Sequence, residues 1–134
     1  MEDIVSILKI QKDFLSGKGS SPSAISDIEN ELDLRFAEDY KQYLLVYGIA
    51  AFDGIELTGI TSVQRLNVRS VTEKNRELCS VPENFYVLEE TGIDGIVIWQ
   101  DSNGSVYKTF PGCEKPIQIL SLIHISEPTR PEPI

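Results

Sequence analysis

The sequence predicts an α+β domain whose N-terminal helices pack on one face of a mainly antiparallel sheet. Apolar residues recur at helical spacing as far as Gly48; beyond it they alternate in short runs bounded by glycines and prolines. Helices first and a meander afterwards define that class, and short turns between the runs favour antiparallel pairing. The chain has 134 residues, 41% of them hydrophobic and 25% charged, which suits one ordinary core. No internal repeat is visible, and residues 1–120 are expected to form a single domain.

The first helix is expected from Asp3 to Leu15. Ile4, Ile7, Leu8, Phe14 and Leu15 share one side, and Glu2 and Asp3 suit the N-terminal dipole. The glycine and serine run from Gly17 to Ser21 breaks it. Ser21-Pro22 restarts helix, a hydroxyl cap followed by proline at the first helical position, with Ile25, Ile28 and Leu32 as the buried stripe. A third helix follows Leu34-Arg35-Phe36 and ends at Gly48. Its face of Phe36, Tyr40, Tyr43, Leu44 and Tyr47 reads as core rather than as a ligand box.

Gly54 to Gly59 reads as a short strand between glycines. Val68 to Leu78 is charged and predicts a fourth, exposed helix with Val71, Asn75 and Leu78 near one face. Strands are then expected at Phe85–Leu88, Ile96–Trp99, Val106–Phe110 and Ile117–Leu120, with Trp99 buried. The tail, residues 121–134, has three prolines in its last seven positions and no helical period. Its Leu-Ile-His-Ile-Ser-Glu-Pro-Thr-Arg-Pro stretch resembles a translated sequencing adapter. The tail is therefore expected to be disordered and not native to the protein.

The net charge of −9 disfavours nucleic acid and anionic lipid as direct partners, and it can steer the chain toward a basic protein. The acidic start and the lack of a long apolar run point to the cytoplasm, with no membrane association. Cys79 and Cys113 read as reduced, partly buried thiols. The one histidine, His124, falls in the suspect tail, so no histidine-based nucleophile or metal set is expected, and no phosphate-cradling glycine loop is present. No catalytic residue, cofactor or metal is therefore expected. Asp101-Ser102-Asn103-Gly104 lacks the later acidic ligand of a calcium loop and reads as a hairpin turn. Gly92-Ile93-Asp94-Gly95 closes another hairpin, so Glu89, Glu90, Asp94 and Asp101 should gather around the meander.

Several stretches in order resemble the SUKH superfamily (Smi1/Knr-type), which includes bacterial immunity proteins and yeast cell-wall regulators. They are Ile25 to Leu32, Asp39 to Gly48, Gly54 to Gly59, Gly92-x-Asp94-Gly95, and Asp101-x-x-Gly104-x-Val106-Tyr107. Leu34-Arg35-Phe36-Ala37 departs from the family's Leu-Pro, and Gly48-Ile49-Ala50 from its Asn-Gly-Gly. The resemblance implies a non-enzymatic protein that binds and neutralises a cognate toxin, often a nuclease whose basic cleft would attract acidic groups. The alternative it implies is a general interaction or regulatory module. Partner contacts are expected from acidic loops and strand ends: Asp53, Glu56, Glu89, Glu90, Asp94 and Asp101.

If the helix faces are read correctly, Leu44→Ala should cost about 2 to 5 kcal/mol in denaturant unfolding. A loss under about 0.5 kcal/mol would mean that the third helix faces the other way.

Overall fold

A computed structural model describes residues 4–119. Glu2, Asp3, Leu120 and the tail 121–134, with His124, lie outside the described residues. Helix α1 spans Ile4–Lys9 and buries Ile4, Ile7 and Leu8. It stops well short of Leu15, because Asp13 takes a left-handed φ of 57° that no helix accommodates. Leu15–Ser16 instead forms strand β1 and pairs with Ala51 and Ala50. Leu15 is consequently exposed. Phe14, also expected on the helix, sits edge-on to Tyr47 at 5.0 Å.

Helix α2, Pro22–Leu32, begins as its local chemistry dictates: Ser21 Oγ accepts from Ala24 N at 3.1 Å and proline opens the first turn. Ile25 and Leu32 are buried, with Ile28 packed partly against them. Glu29 is buried too, and its Oε2 accepts from Phe36 N at 2.8 Å, clamping the loop into the next helix. Helix α3, Glu38–Val46, turns Tyr40, Tyr43 and Leu44 inward. Phe36, just before it, meets Tyr40 and Tyr86 edge to face at 5.0 and 4.7 Å. Gly48 follows at φ 74°, where a Cβ would lie 2.2 Å from Lys18 O. Only glycine fits there.

Two antiparallel sheets follow from the change of period. Strands β2 (Ala50–Phe52) and β3 (Ile55–Leu57) form a hairpin whose turn residues, Asp53 and Gly54, both have positive φ, and β1 pairs on the far side of β2. The second sheet is a meander of β4 (Tyr86–Glu90), β5 (Val97–Gln100), β6 (Val106–Thr109) and β7 (Ile117–Ile119). Alternation sorts its side chains onto two faces. Tyr86, Ile98 and Val106 join the core built by α1 to α3, while Val87, Val97 and Trp99 cluster with Phe85. Trp99 is fully buried, and its Nε1 donates to Thr109 Oγ1 at 2.9 Å. The fold class is therefore the α+β arrangement that the sequence predicts.

Helix α4, Val68–Leu78, is capped by Asn67, whose Oδ1 accepts from Arg69 N and Ser70 N. It is less exposed than its charge suggests. Val68, Val71, Thr72 and Asn75 are buried, with Val71 in the cluster around Trp99, while Leu78 stays open. Thr72 and Asn75 tolerate burial because each is bonded. Thr72 Oγ1 accepts from Val87 N at 3.0 Å, and Asn75 Nδ2 donates to Val71 O and to Glu90 Oε2 at 2.9 Å.

The two sheets and α3 meet at Thr58. Its N–H donates to Leu88 O at 2.8 Å and its Oγ1 to Val87 O at 2.6 Å. Its carbonyl accepts from the Tyr43 hydroxyl at 2.8 Å and the Tyr40 hydroxyl at 3.2 Å. Thr58→Val keeps shape and volume but leaves Val87 O without that donor, so we expect a loss of about 1 to 3 kcal/mol. Chemical denaturation measures it, and a neutral substitution would remove Thr58 from its structural role.

Candidate functional site

A groove of about 720 Å³ lies between α4 and the β4–β5 turn. Each wall follows from local structure. Glu56 alternates outward on β3 between the inward Ile55 and Leu57, and Arg65 comes from the short 3-10 turn Gln64–Leu66. Lys74 and Leu78 stand on the outer side of α4, and Glu90 and Thr91 end β4. Gly92, Gly95 and Pro111 close the far side.

The groove's acids are already engaged by its cations. Arg65 grips Glu56 with both terminal nitrogens, at 2.7 and 3.1 Å. This hydrogen bonding, aided by the positive charge, holds the Glu56 carboxyl below its ordinary range, and Glu56 in turn raises the guanidinium. Lys74 Nζ lies 2.8 Å from Glu90 Oε2, the same oxygen that Asn75 reaches. The Arg65–Glu56 pair is solvent-exposed and contributes little to stability, whereas Glu90 is half-buried beneath Lys74.

The six acidic residues expected to meet a partner do not all share one surface. Glu56 and Glu90 line the groove, and Asp94 stands exposed on the turn between Gly92 and Gly95. Glu89 is half-buried on β4, opposite Ile98. Asp53 is exposed at the tip of the β2–β3 hairpin and is not part of the groove wall; its N–H donates to Lys12 O at 2.9 Å. Asp101 is only 6% exposed. Its Oδ1 accepts from Asn103 N and Ser105 N at 3.0 Å, and its Oδ2 from the Tyr107 hydroxyl at 3.1 Å. That carboxylate shapes the β5–β6 turn.

Sequence reasoning passed over Arg65 and Lys74, and it placed Leu78 on the face of α4 with Val71 and Asn75, where the structure leaves it exposed. Nothing local ties Arg65 to Glu56 or Lys74 to Glu90.

A second polar cluster lies under α3. The Tyr86 hydroxyl donates to Gln100 Oε1 at 2.6 Å and accepts from Ala37 N at 2.9 Å, while Gln100 Nε2 donates to Asp39 Oδ1 at 3.2 Å. Burial raises the Asp39 carboxyl above the usual aspartate value, against the lowering effect of the Gln100 bond. Burial likewise lifts the phenols of Tyr40, Tyr43 and Tyr86. These groups hold α3 to the sheet. Among the described residues no three His, Cys, Asp or Glu side chains gather as a metal set, and no helix is long and apolar enough to cross a membrane.

The chain is an α+β domain with a helix-backed antiparallel sheet and an open, charged groove. A family model described as "SMI1-KNR4 cell-wall" matches residues 1–111, so the chain belongs to this SUKH family. Its bacterial members are usually immunity proteins and are generally non-enzymatic. The chain is also 40% identical over 70 residues to "Uncharacterized protein YnaB" of Bacillus subtilis (strain 168). That match spans 52% of this chain and 42% of YnaB. A crystal structure of a protein from Pseudomonas syringae pv. tomato superposes with a TM-score of 0.72 at 16% identity, over 92% of this chain and 93% of that one, which shows the shared fold.

Asp39 offers a pH test. Its carboxyl is raised on folding, so within that window the folded state binds more protons than the unfolded chain. Stability therefore falls as pH rises from the ordinary aspartate value through the raised one, and the penalty persists above it. Asp39→Asn removes the charge while keeping an acceptor for Gln100. The variant should be at least as stable as wild type at neutral pH and show a shallower decline across the acidic range. Denaturation midpoints followed against pH check this; a variant much weaker at neutral pH would mean that the carboxylate itself stabilises the fold.

Proposed function

We propose that this chain is an immunity protein that binds a cognate toxin domain, possibly a nuclease, in the cytoplasm and blocks it by occlusion. The observation that carries the reading is the family match over residues 1–111, in a family whose bacterial members are usually immunity proteins. Physical chemistry supports it. An inhibitor needs a rigid scaffold and a complementary surface, not reactive groups. The core clamps at Thr58 and Glu29 supply rigidity. The net charge of −9 and the exposed Asp53, Glu56 and Asp94 favour a basic partner, such as a nuclease cleft built for phosphate. The family description also names cell-wall proteins, which favours a second reading, a regulatory interaction module without a toxin.

The first test is co-expression with a toxin domain encoded beside the gene. Rescue of growth, with stoichiometric inhibition of the purified toxin, supports the immunity reading; a stable non-toxin partner and no rescue supports the second. On the bound toxin, Glu56→Gln with Asp94→Asn should slow association about two- to tenfold at low salt, and the difference should vanish at high salt. Glu56→Gln keeps one of the two Arg65 hydrogen bonds at an exposed pair, and asparagine tolerates the left-handed turn position, so the fold should persist. Equal rates at every salt concentration would remove both residues from the interface.

A further inference from the structure

Asn103-Gly104, the only Asn-Gly pair in the sequence, lies in the β5–β6 turn with the asparagine exposed. The turn needs glycine there, because φ is 94°. In an open chain this pair is chemically labile. No Cβ keeps the glycine nitrogen from the preceding carboxamide, and asparagine is among the thermolabile residues. Folding engages the attacking atom. Gly104 N donates to Asp101 O at 3.0 Å, and that proton must leave before the nitrogen can attack. Asp101 fixes the rest of the turn too: its buried carboxylate accepts from Asn103 N and Ser105 N at 3.0 Å and from the Tyr107 hydroxyl at 3.1 Å. Ser102 Oγ adds a tether to Arg35 O.

We propose that Asn103 is a site of spontaneous deamidation and that Asp101 holds the reaction in check. When the turn opens, Gly104 N gives its proton to solvent base and attacks Asn103 Cγ. The carboxamide nitrogen leaves as ammonia, and a succinimide ring forms. Water then opens the ring at either carbonyl, giving aspartate or isoaspartate at position 103. The rate follows the fraction of molecules in which the turn is open. Either product places a new carboxylate near that of Asp101, and isoaspartate also adds a backbone carbon to the turn. Gln100 Nε2 donates both to Gly104 O at 3.3 Å and to Asp39 Oδ1 at 3.2 Å, so distortion of the turn reaches the start of α3. This inference stands apart from the immunity reading, since no partner enters it.

The purified chain is incubated in mildly alkaline buffer, folded and in urea. Mass spectrometry follows the peptide that spans Asn103, and enzymatic methylation of isoaspartate marks the rearranged product. Conversion in the folded chain should run about tenfold or more slower than in urea. Tyr107→Phe removes one donor from Asp101 Oδ2 and should raise the folded-state rate about two- to tenfold. Asp101→Ala removes every bond to that carboxylate and should raise the rate further; if it does not fold, Tyr107→Phe decides the matter alone. Asn103→Ser has no carboxamide and should yield no product. Equal rates in the folded and unfolded wild type would overturn the proposal. So would a Tyr107→Phe rate no higher than wild type, or conversion concentrated at another asparagine.

Discussion

The whole structure depends on satisfying the outer edge of β4. An edge strand presents unpaired N–H and C=O groups, and burying them without partners costs more than a typical side-chain contact returns. Here Thr58 meets two of the carbonyls and Thr72 meets the Val87 N–H. The bulge between Val87 and Glu89 makes this possible, since Leu88 has no partner on β5 and its carbonyl takes the Thr58 N–H. Thr58 Oγ1 spends its proton on Val87 O, so the single Tyr40 hydroxyl proton is shared between Thr58 Oγ1 at 3.0 Å and Thr58 O at 3.2 Å. One residue thereby joins α3, the small sheet and the meander.

That solution determines what the outer side of α4 presents. With Thr72 and Asn75 turned inward against β4, the outer side of α4 is left with Lys74 and Leu78, facing the β4–β5 turn. The charged sequence of α4 is thus two populations. The buried Thr72 and Asn75 are bonded within the fold, whereas Lys74 makes an ion pair at the surface. Breaking a buried hydrogen bond leaves an unsatisfied atom behind.

Residues in the stretches that resemble the family mostly serve the fold. Glu29 clamps the loop before α3, Tyr40 reaches Thr58, Gly48 occupies a left-handed position against Lys18, and Asp101 organises a turn. They are buried or geometrically constrained, which explains why they identify the architecture and carry no information about the partner. Exposed side chains such as Asp94 and Leu78 are those where substitution costs the fold little.

Features set by short-range chemistry were legible in the sequence. The start of α2 at Ser21-Pro22, the span of α4, the tyrosine face of α3 and the four strands of the meander all follow from caps, period and turn residues acting within a few positions. The early end of α1 and the pairing of Leu15–Ser16 with β2 were not legible, since β1 exists only because another strand lies beside it. The strand expected from Gly54 to Gly59 was the sequence's hint of that sheet. The acidic residues divided in the same way. Their number and sign came from composition, but which of them are buried, paired or free was decided by tertiary proximity. Asp101 lies in a turn and looks exposed in sequence, yet folding turns it onto three internal donors. Glu56 meets Arg65, and Glu90 meets Lys74, only once separate elements converge. Coulombic and hydrogen-bond energies depend on distance in space, and that distance is fixed by the packed core rather than by position along the chain.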